Sequence, residues 1–309
     1  MSCLSPNKFF PVIKNLALVK DSFKGKVALI TGGGTGMGKA MARTFSLLGG
    51  DVAIAARRMD VLEKTANDIM KESGRKVLPL QMDVRDVEMV KNSVDLIEKE
   101  FGKTPNIVVN NAAGNFVCPF ERLSHNAFAT IIDIVLKGSF NVTQEVGKRV
   151  IKNQKDGCSF LYISAGYCRH TAEFFSHSGA AKAGVESMAR SLTGEWGKYG
   201  MRFNIISPGA VPTEGAFGRL SPVDMEKTIN ILSKTVPEGR CGDIQEIANL
   251  ASFVVSDYGS YISGANIDID GGKQYLYGNS GFGIHYHGYT KEQWDKAAST
   301  IKDRNEQSK

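Results

Sequence analysis

Residues 26–31, KVALIT, run without a break into GGGTGMG at 32–38, and a helix pattern follows through Leu48. A β-forming run, a glycine-dense turn and a helix, in that order, make a unit whose backbone can turn tightly and approach an anion. The same alternation repeats along the chain. DVAIAA (51–56), KVLPLQMDV (76–84, broken by Pro79), NIVVNNAA (106–113), SFLYIS (159–164), MRFNIIS (201–207) and ANIDID (265–270) read as strands or strand-and-turn units. Helix patterns cover 60–73, 88–101, 124–154, 178–199 and 243–256, with one more at 290–304. Strands separated by helix-length segments require parallel pairing with helical crossovers. The predicted fold is α/β, a doubly wound parallel sheet with helices on both faces. A single domain is expected over 23–274. Residues 1–22 read as an N-terminal arm or weak targeting segment, and 275–309 as a C-terminal tail with one helix.

Composition narrows the partners. With 309 residues and 42% hydrophobic content, the chain is ample for one large core. No apolar run reaches the ~18–20 residues that cross a bilayer, so no membrane span is expected. The net charge of +6 comes without a Lys/Arg block interleaved with aromatics. No nucleic-acid partner is expected, and a mild excess of cations suits phosphorylated small molecules. Cys3, Cys118, Cys158, Cys168 and Cys241 are odd in number and lack metal spacing, which fits a reducing intracellular compartment. His285 and His287 read as part of a surface loop, and no metal is assigned. The first 25 residues hold four lysines and no acid before Asp21, but no arginine. They read either as a weak mitochondrial presequence or as an arm packed on the domain. The C-terminal Gln-Ser-Lys lacks the final leucine of a peroxisomal signal. Mitochondrion is the expected location, with cytoplasm as the alternative.

Gly32, Gly33, Gly34, Thr35, Gly36, Met37 and Gly38 sit where a helix N-terminus would meet a dinucleotide pyrophosphate. The second strand ends in Arg57 and Arg58, where NAD binders usually carry an acid. A carboxylate would repel a 2′-phosphate, whereas a guanidinium can bind it, so NADPH is the expected cofactor. An incidental surface arginine is the alternative. Asp83 follows the third strand, where an adenine amino group could be read. In SHSGAAKAG (176–184), Ser178 and Lys182 share a helix face at i,i+4.

TGGGTGMG (31–38), NNAAG (110–114), AAKAG (180–184) and SPGAV (207–211) together resemble the short-chain dehydrogenase/reductase family. The resemblance covers 23–272 and implies a Rossmann fold. It also exposes departures from the family's Asn-Ser-Tyr-Lys tetrad. Val135 stands for the asparagine, Ala165 for the serine and Ser178 for the tyrosine. A serine hydroxyl is far less acidic than a phenol, whose pKa is about 10. The usual carbonyl–alcohol route is therefore not expected. NNAAGNF (110–116), ERLS (121–124), GAAKAG (179–184), EWGKYGMRFN (195–204), GAFGRL (215–220) and TKEQWD (290–295) resemble the 2,4-dienoyl-CoA reductase branch, the mitochondrial type in particular.

That resemblance implies NADPH-dependent reduction of a 2,4-dienoyl-CoA to a trans-3-enoyl-CoA, an auxiliary step in β-oxidation of unsaturated fatty acids. Tyr167 and Asn115 match the two donors that bind the thioester oxygen as it becomes a dienolate. Lys182 matches the residue that holds the nicotinamide ribose, its charge helping to tune the tyrosine, and Ser178 would fix that lysine or the ring. Pro208, Gly209, Ala210 and Val211 would run beside the nicotinamide. Arg85, Phe116, Ser124 and Arg219 would contact the acyl-CoA substrate. A homotetramer is implied by the resemblance alone. Read from the residues, Asn115 could also be a turn residue and Tyr167 a packing residue. Another enoyl-thioester or carbonyl reductase on the same fold is the first competing function, and an NADPH-binding scaffold without catalysis the second.

Overall fold

The computed structural model describes residues 9–153, 155–169, 173–213, 225–276, 289–297 and 299. Seven strands form one parallel sheet: β1 Val27–Thr31, β2 Asp51–Ala56, β3 Val77–Gln81, β4 Ile107–Asn110, β5 Cys158–Ile163, β6 Met201–Pro208 and β7 Asn266–Ile269. Their order across the sheet is β3-β2-β1-β4-β5-β6-β7. The helices are α1 Gly36–Leu47, α2 Met59–Ser73, α3 Val87–Phe101, α4 His125–Ile132, α5 Gly138–Asn153, α6 Ser176–Trp196, α7 Met225–Ser233, α8 Ile244–Val255 and the single turn α9 Lys273–Leu276.

Each strand serves two cores because successive side chains point to opposite faces. Val27 and Leu29 of β1 pack with α3, α5 and α6 on one face. Ala28 and Ile30 pack with α1, α2 and α8 on the other. That is why β1, β4 and β5 read as continuous apolar runs. The cores also draw in the N-terminal arm. Leu16 and Leu18 pack against the α1–α2–α8 side. Lys14 pairs with Asp243, and Asn249 donates through Nδ2 to Asn15 O at 2.9 Å.

Two sequence expectations change. Pro79 does not break the third strand but sits within β3, in register with Ile54 of β2. A proline is tolerated there because β3 is the sheet's edge, where a missing N–H can face away from the ladder. The expected helix over 124–154 is interrupted by a π-helical segment, Asp133–Lys137, between α4 and α5. An extra residue per turn widens the helix at that point, and it is where buried Val135 stands for the family asparagine. Helix α7 had no counterpart in the sequence reading. Residues 291–297 are helical, and the remainder of the helix expected over 290–304 is only partly within the described residues. Among the described residues no helix is long and apolar enough to cross a membrane.

β1 and β4 are neighbours although β2 and β3 lie on the far side of β1. The winding therefore reverses between β1 and β4, and in open α/β sheets the crevice outside the carboxyl ends of the strands at such a point is the ligand site.

Candidate active site

A cleft of about 1940 Å³ opens at that edge. The β1–α1 turn forms one end. Gly32 has φ +65°, a conformation that favours glycine. At Gly38 a Cβ would lie 2.2 Å from Gly32 O and 2.8 Å from Asn111 Nδ2. The turn is held from behind. Thr65 Oγ1 donates to Gly34 O at 2.8 Å, and Asn111 Nδ2 donates to Thr31 O at 2.9 Å. Thr31 Oγ1 accepts from the amides of Asn111 and Ala112. Thr35 caps α1 through backbone geometry alone, without a side-chain hydrogen bond, and the first turn holds no acid. The positive end of α1 is thus left for an anion.

Arg57 and Arg58 line the cleft beyond β2 and are exposed. Neither forms an ion pair among the described residues. A glycine cradle, a free helix N-terminus and unpaired guanidinium groups fit a phosphorylated dinucleotide. The cradle leaves no room for growth. Gly38→Ala is expected to cost about 1–3 kcal/mol of stability through overpacking against backbone. Binding of a nicotinamide dinucleotide should fall below detection, which thermal unfolding and cofactor fluorescence titration would check.

Asp83 also lines the cleft, and its carboxylate is held by Arg85, with Nη2 at 2.6 Å and Nε at 3.0 and 3.1 Å. The hydrogen bond from Arg85 keeps the Asp83 carboxyl below its usual range. Arg85 is thus committed to its neighbour and is not on the cleft wall. Ser124 is committed as well: it caps α4, its Oγ accepting from Ala127 N at 3.1 Å. Arg219 lies outside the described residues. Pro208 at the end of β6 and Gly209, Ala210 and Val211 beyond it line the cleft. Gly209 N donates to Ile269 O at 2.9 Å, and a Cβ on Gly209 would meet Asp270 Cα at 2.7 Å.

At the other end of the cleft, Tyr167 sits on the short turn Gly166–Cys168 after β5. Its hydroxyl is 2.8 Å from Ser178 Oγ and accepts from Asn115 Nδ2 at 3.3 Å. The Asn115 amide is oriented, because its Oδ1 accepts from Phe116 N at 2.9 Å. Nδ2 therefore faces the phenol. Phe175 stacks on Tyr167 at 5.8 Å between ring centroids. It follows Phe174, whose φ of +66° is uncommon for a bulky residue. Phe174 O accepts from Cys118 N, and Phe116 stacks on buried His177 at 4.1 Å, so two loops close over the tyrosine. Burial raises the Tyr167 pKa, Ser178's hydrogen bond opposes it, and Cys168 adds to the rise. The phenol is thus a protonated donor at neutral pH.

Lys182 does not enter that balance. Its buried Nζ donates to Ile163 O, the last residue of β5. Burial brings its pKa down to about 8, opposed by Cys168 and Glu186. Ser178, one turn away on α6, bonds the tyrosine. Asn115, Tyr167, Ser178 and Lys182 are thereby brought together at one end of the cleft. An O–H and an N–H donor 3.3 Å apart can share one acceptor oxygen, the arrangement that stabilises a developing oxyanion.

Several neighbours went unread in the sequence. Thr31 and Asn111 lie in the quoted motifs 31–38 and 110–114 without a role of their own, and Cys168, Arg169, His177 and Glu186 also surround the site, yet each type is common on loops and helix faces. The one available signal was that Glu186 follows Lys182 by four residues, on the same face.

Comparison with known proteins agrees with this architecture. A family described as enoyl-(acyl carrier protein) reductase matches residues 32–274. The chain is 51% identical over 304 residues to a Caenorhabditis elegans protein named probable 2,4-dienoyl-CoA reductase, (3E)-enoyl-CoA-producing. That match covers 98% of each chain. It is 41% identical over 249 residues to a Bacillus subtilis protein named probable 2,4-dienoyl-CoA reductase, (2E)-enoyl-CoA-producing, covering 80% of this chain and 96% of that one. A crystal structure of a short chain dehydrogenase from Bacillus anthracis superposes with a TM-score of 0.72 at 38% identity, covering 81% of this chain and 97% of that chain. A seven-stranded sheet of this order, a glycine-rich β1–α1 turn and these matches establish that the chain belongs to the short-chain dehydrogenase/reductase family.

Proposed function

We propose that the protein reduces 2,4-dienoyl-CoA esters to trans-3-enoyl-CoA with NADPH. The observation that carries this reading is the Tyr167–Asn115 pair, two donors 3.3 Å apart at the end of the cleft. Saturated ketone chemistry in this family runs through a tyrosine at the position of Ser178, and that route is closed here. A conjugated thioester needs something else: donors for an oxygen that gains charge while the chain is reduced some bonds away. Tyr167 and Asn115 would hold that oxygen, and Tyr167 is kept protonated for the task by its burial.

NADPH would lie along the cleft from Arg57 to Lys182. Its nicotinamide would supply a hydride for the δ carbon, and a proton drawn from solvent would add at the α carbon to complete the 3-ene. The glycine turn and α1 would bind the pyrophosphate, Arg57 the 2′-phosphate and Asp83 the adenine amino group. Lys182 would hold the ribose, and Pro208–Val211 would flank the ring. Phe116, on the cleft wall, would pack on the acyl chain. Arg85, Ser124 and Arg219 remain proposed contacts of the CoA portion by resemblance. Arg85 would have to leave Asp83, and Ser124 would have to bind while capping α4. A mitochondrial homotetramer acting in β-oxidation of unsaturated fatty acids completes the reading.

The two named relatives differ in product, and the difference is chemical. Protonating the dienolate at the α carbon leaves a 3-ene, whereas protonation at the γ carbon leaves a 2-ene. The expected result is stoichiometric NADPH oxidation with 2,4-hexadienoyl-CoA and 3-hexenoyl-CoA as product, read by absorbance and product chromatography. A 2-enoyl product would keep the substrate and correct the protonation site. Turnover of saturated ketones in its place would favour a carbonyl reductase. Tight NADPH binding with no turnover of any dienoyl-CoA would favour a scaffold.

A further inference from the structure

We propose that Glu186 is a positioning residue for this reduction: its buried carboxylate clamps both ends of the turn that carries Tyr167 and sets a negative charge one helical turn from Lys182. The side chain is 1% exposed, rare for a carboxylate without partners. Oε1 accepts from Ser164 Oγ at 2.7 Å and from Cys168 Sγ at 2.9 Å. Ser164 precedes Tyr167 by three residues and Cys168 follows it directly. Between Ser164 and Cys168 lie Ala165, Gly166 and Tyr167, and a Cβ on Gly166 would meet nothing within 4 Å. The turn is closed on itself by Cys168 N to Ala165 O and Arg169 N to Gly166 O, each at 3.2 Å, and the two hydrogen bonds to one Glu186 oxygen tie that closed turn to α6, while Ser178, Asn115 and Phe175 hold the phenol itself.

The other oxygen faces cations. Oε2 is 3.6 Å from Arg169 Nε and 3.6 Å from Arg190 Nη1. Arg169 in turn grips Asp268 on β7, with Nη1 to Oδ2 at 3.0 Å. Lys182 and Arg190 on α6, Cys168 and Arg169 on the turn, and Asp268 on β7 are the charged or titratable groups gathered around Glu186. Burial pushes the Glu186 carboxyl up, but the hydrogen bonds from Cys168 and Ser164, the Asn266 amide and the charge of Arg169 outweigh it, and the net shift is downward. The Cys168 thiol is raised by burial and by its bond to Glu186. At neutral pH Cys168 is therefore a neutral donor and Glu186 the anion. The ammonium of Lys182, disfavoured by burial, is supported by that anion.

Two substitutions separate the two roles. Glu186→Gln keeps an oxygen for Ser164 and Cys168 but removes the charge and turns an NH2 toward Arg169 and Arg190. Glu186→Asp keeps the charge but withdraws it by one methylene. The ammonium form of Lys182 is lost as pH rises through its pKa, so deleting the neighbouring anion moves that loss to lower pH.

Glu186→Asp should lower kcat with 2,4-hexadienoyl-CoA at least about tenfold through misplacement of the phenol, with the alkaline limb in place. For Glu186→Gln the alkaline limbs of kcat and of NADPH affinity should move down by at least about half a pH unit. Wild-type kcat in Glu186→Asp would overturn the clamp, and an unmoved limb in Glu186→Gln would overturn the charge role. The kcat arm rests on the proposed reaction, and the NADPH-affinity arm does not. If the native enzyme turns over no dienoyl-CoA, that reaction fails, yet a shifted affinity limb still supports the charge role and an unshifted one overturns it. If Glu186→Gln does not fold, Cys168→Ala decides: a lower kcat at unchanged melting temperature supports the clamp, and a native kcat overturns it.

Discussion

Replacing Tyr167 by phenylalanine is expected to lower kcat on 2,4-hexadienoyl-CoA by about 10²–10³-fold, the usual effect of removing one donor from an oxyanion site. The ring should stay where it is, because Phe175 stacks on it and the loops above are held by the Phe116–His177 pair. Only the hydroxyl is lost. Ser178 would then lose its partner at 2.8 Å, and its hydroxyl remains. As a weak acid it cannot take over, so the deficit should persist at every pH. Asn115 still offers Nδ2, and the residual rate reports its share. NADPH affinity should be unchanged, since Lys182 bonds Ile163 O and not the phenol. Steady-state kinetics with parallel cofactor titration checks both halves. Equal rates for the two proteins would remove Tyr167 from the reaction while leaving the reaction itself intact.

The fold was legible because its signals are local. β2 falls at 51–56 as expected, since a buried parallel strand is a short apolar run bounded by breakers. α8 starts after Asp243 because Asp243 and Glu246 form a capping box visible in the sequence. Pro79 misled because edge and interior strands look alike until the sheet order is known. The π segment at Asp133–Lys137 carries no local signature, because widening a helix by one residue leaves its composition helical.

The site divides in the same way. Tyr167 could be found because it lies just past a strand's carboxyl end. Its bond to Ser178 joins a loop to a helix and emerges only in three dimensions. Arg85 shows what a sequence leaves out. The resemblance marks it as a contact of the acyl-CoA, and only the structure shows that the carboxylate of Asp83 two residues away is paired with it. Glu186 would pass as a solvated helix residue until Ser164, Cys168, Arg169 and Arg190 are seen around it.

Arg57→Glu carries the second large effect: kcat/KM for NADPH is expected to fall at least about 100-fold, with NADH becoming the better cofactor. A hydrogen bond between charged groups contributes about 1.5–3 kcal/mol, roughly a 10- to 100-fold factor in binding. Reversing the charge adds repulsion of the 2′-phosphate to that loss. Arg57 makes no ion pair among the described residues, and Asp83, whose carboxylate its charge helps to stabilise, keeps its bonds from Arg85. It is also exposed at the end of β2, where a substitution leaves both cores untouched. Stability should therefore hold while specificity moves. Glutamate at the same place can accept from the ribose hydroxyls of NADH, the role acids serve at this strand end in NAD binders. Arg58 remains a cation beside the site and sets the floor for residual NADPH use, which Arg57→Glu/Arg58→Ala should remove. The check is kcat/KM for each cofactor in native and variant enzymes. A native enzyme indifferent to the 2′-phosphate, or an Arg57→Glu variant that still prefers NADPH, would move the phosphate contact away from the end of β2.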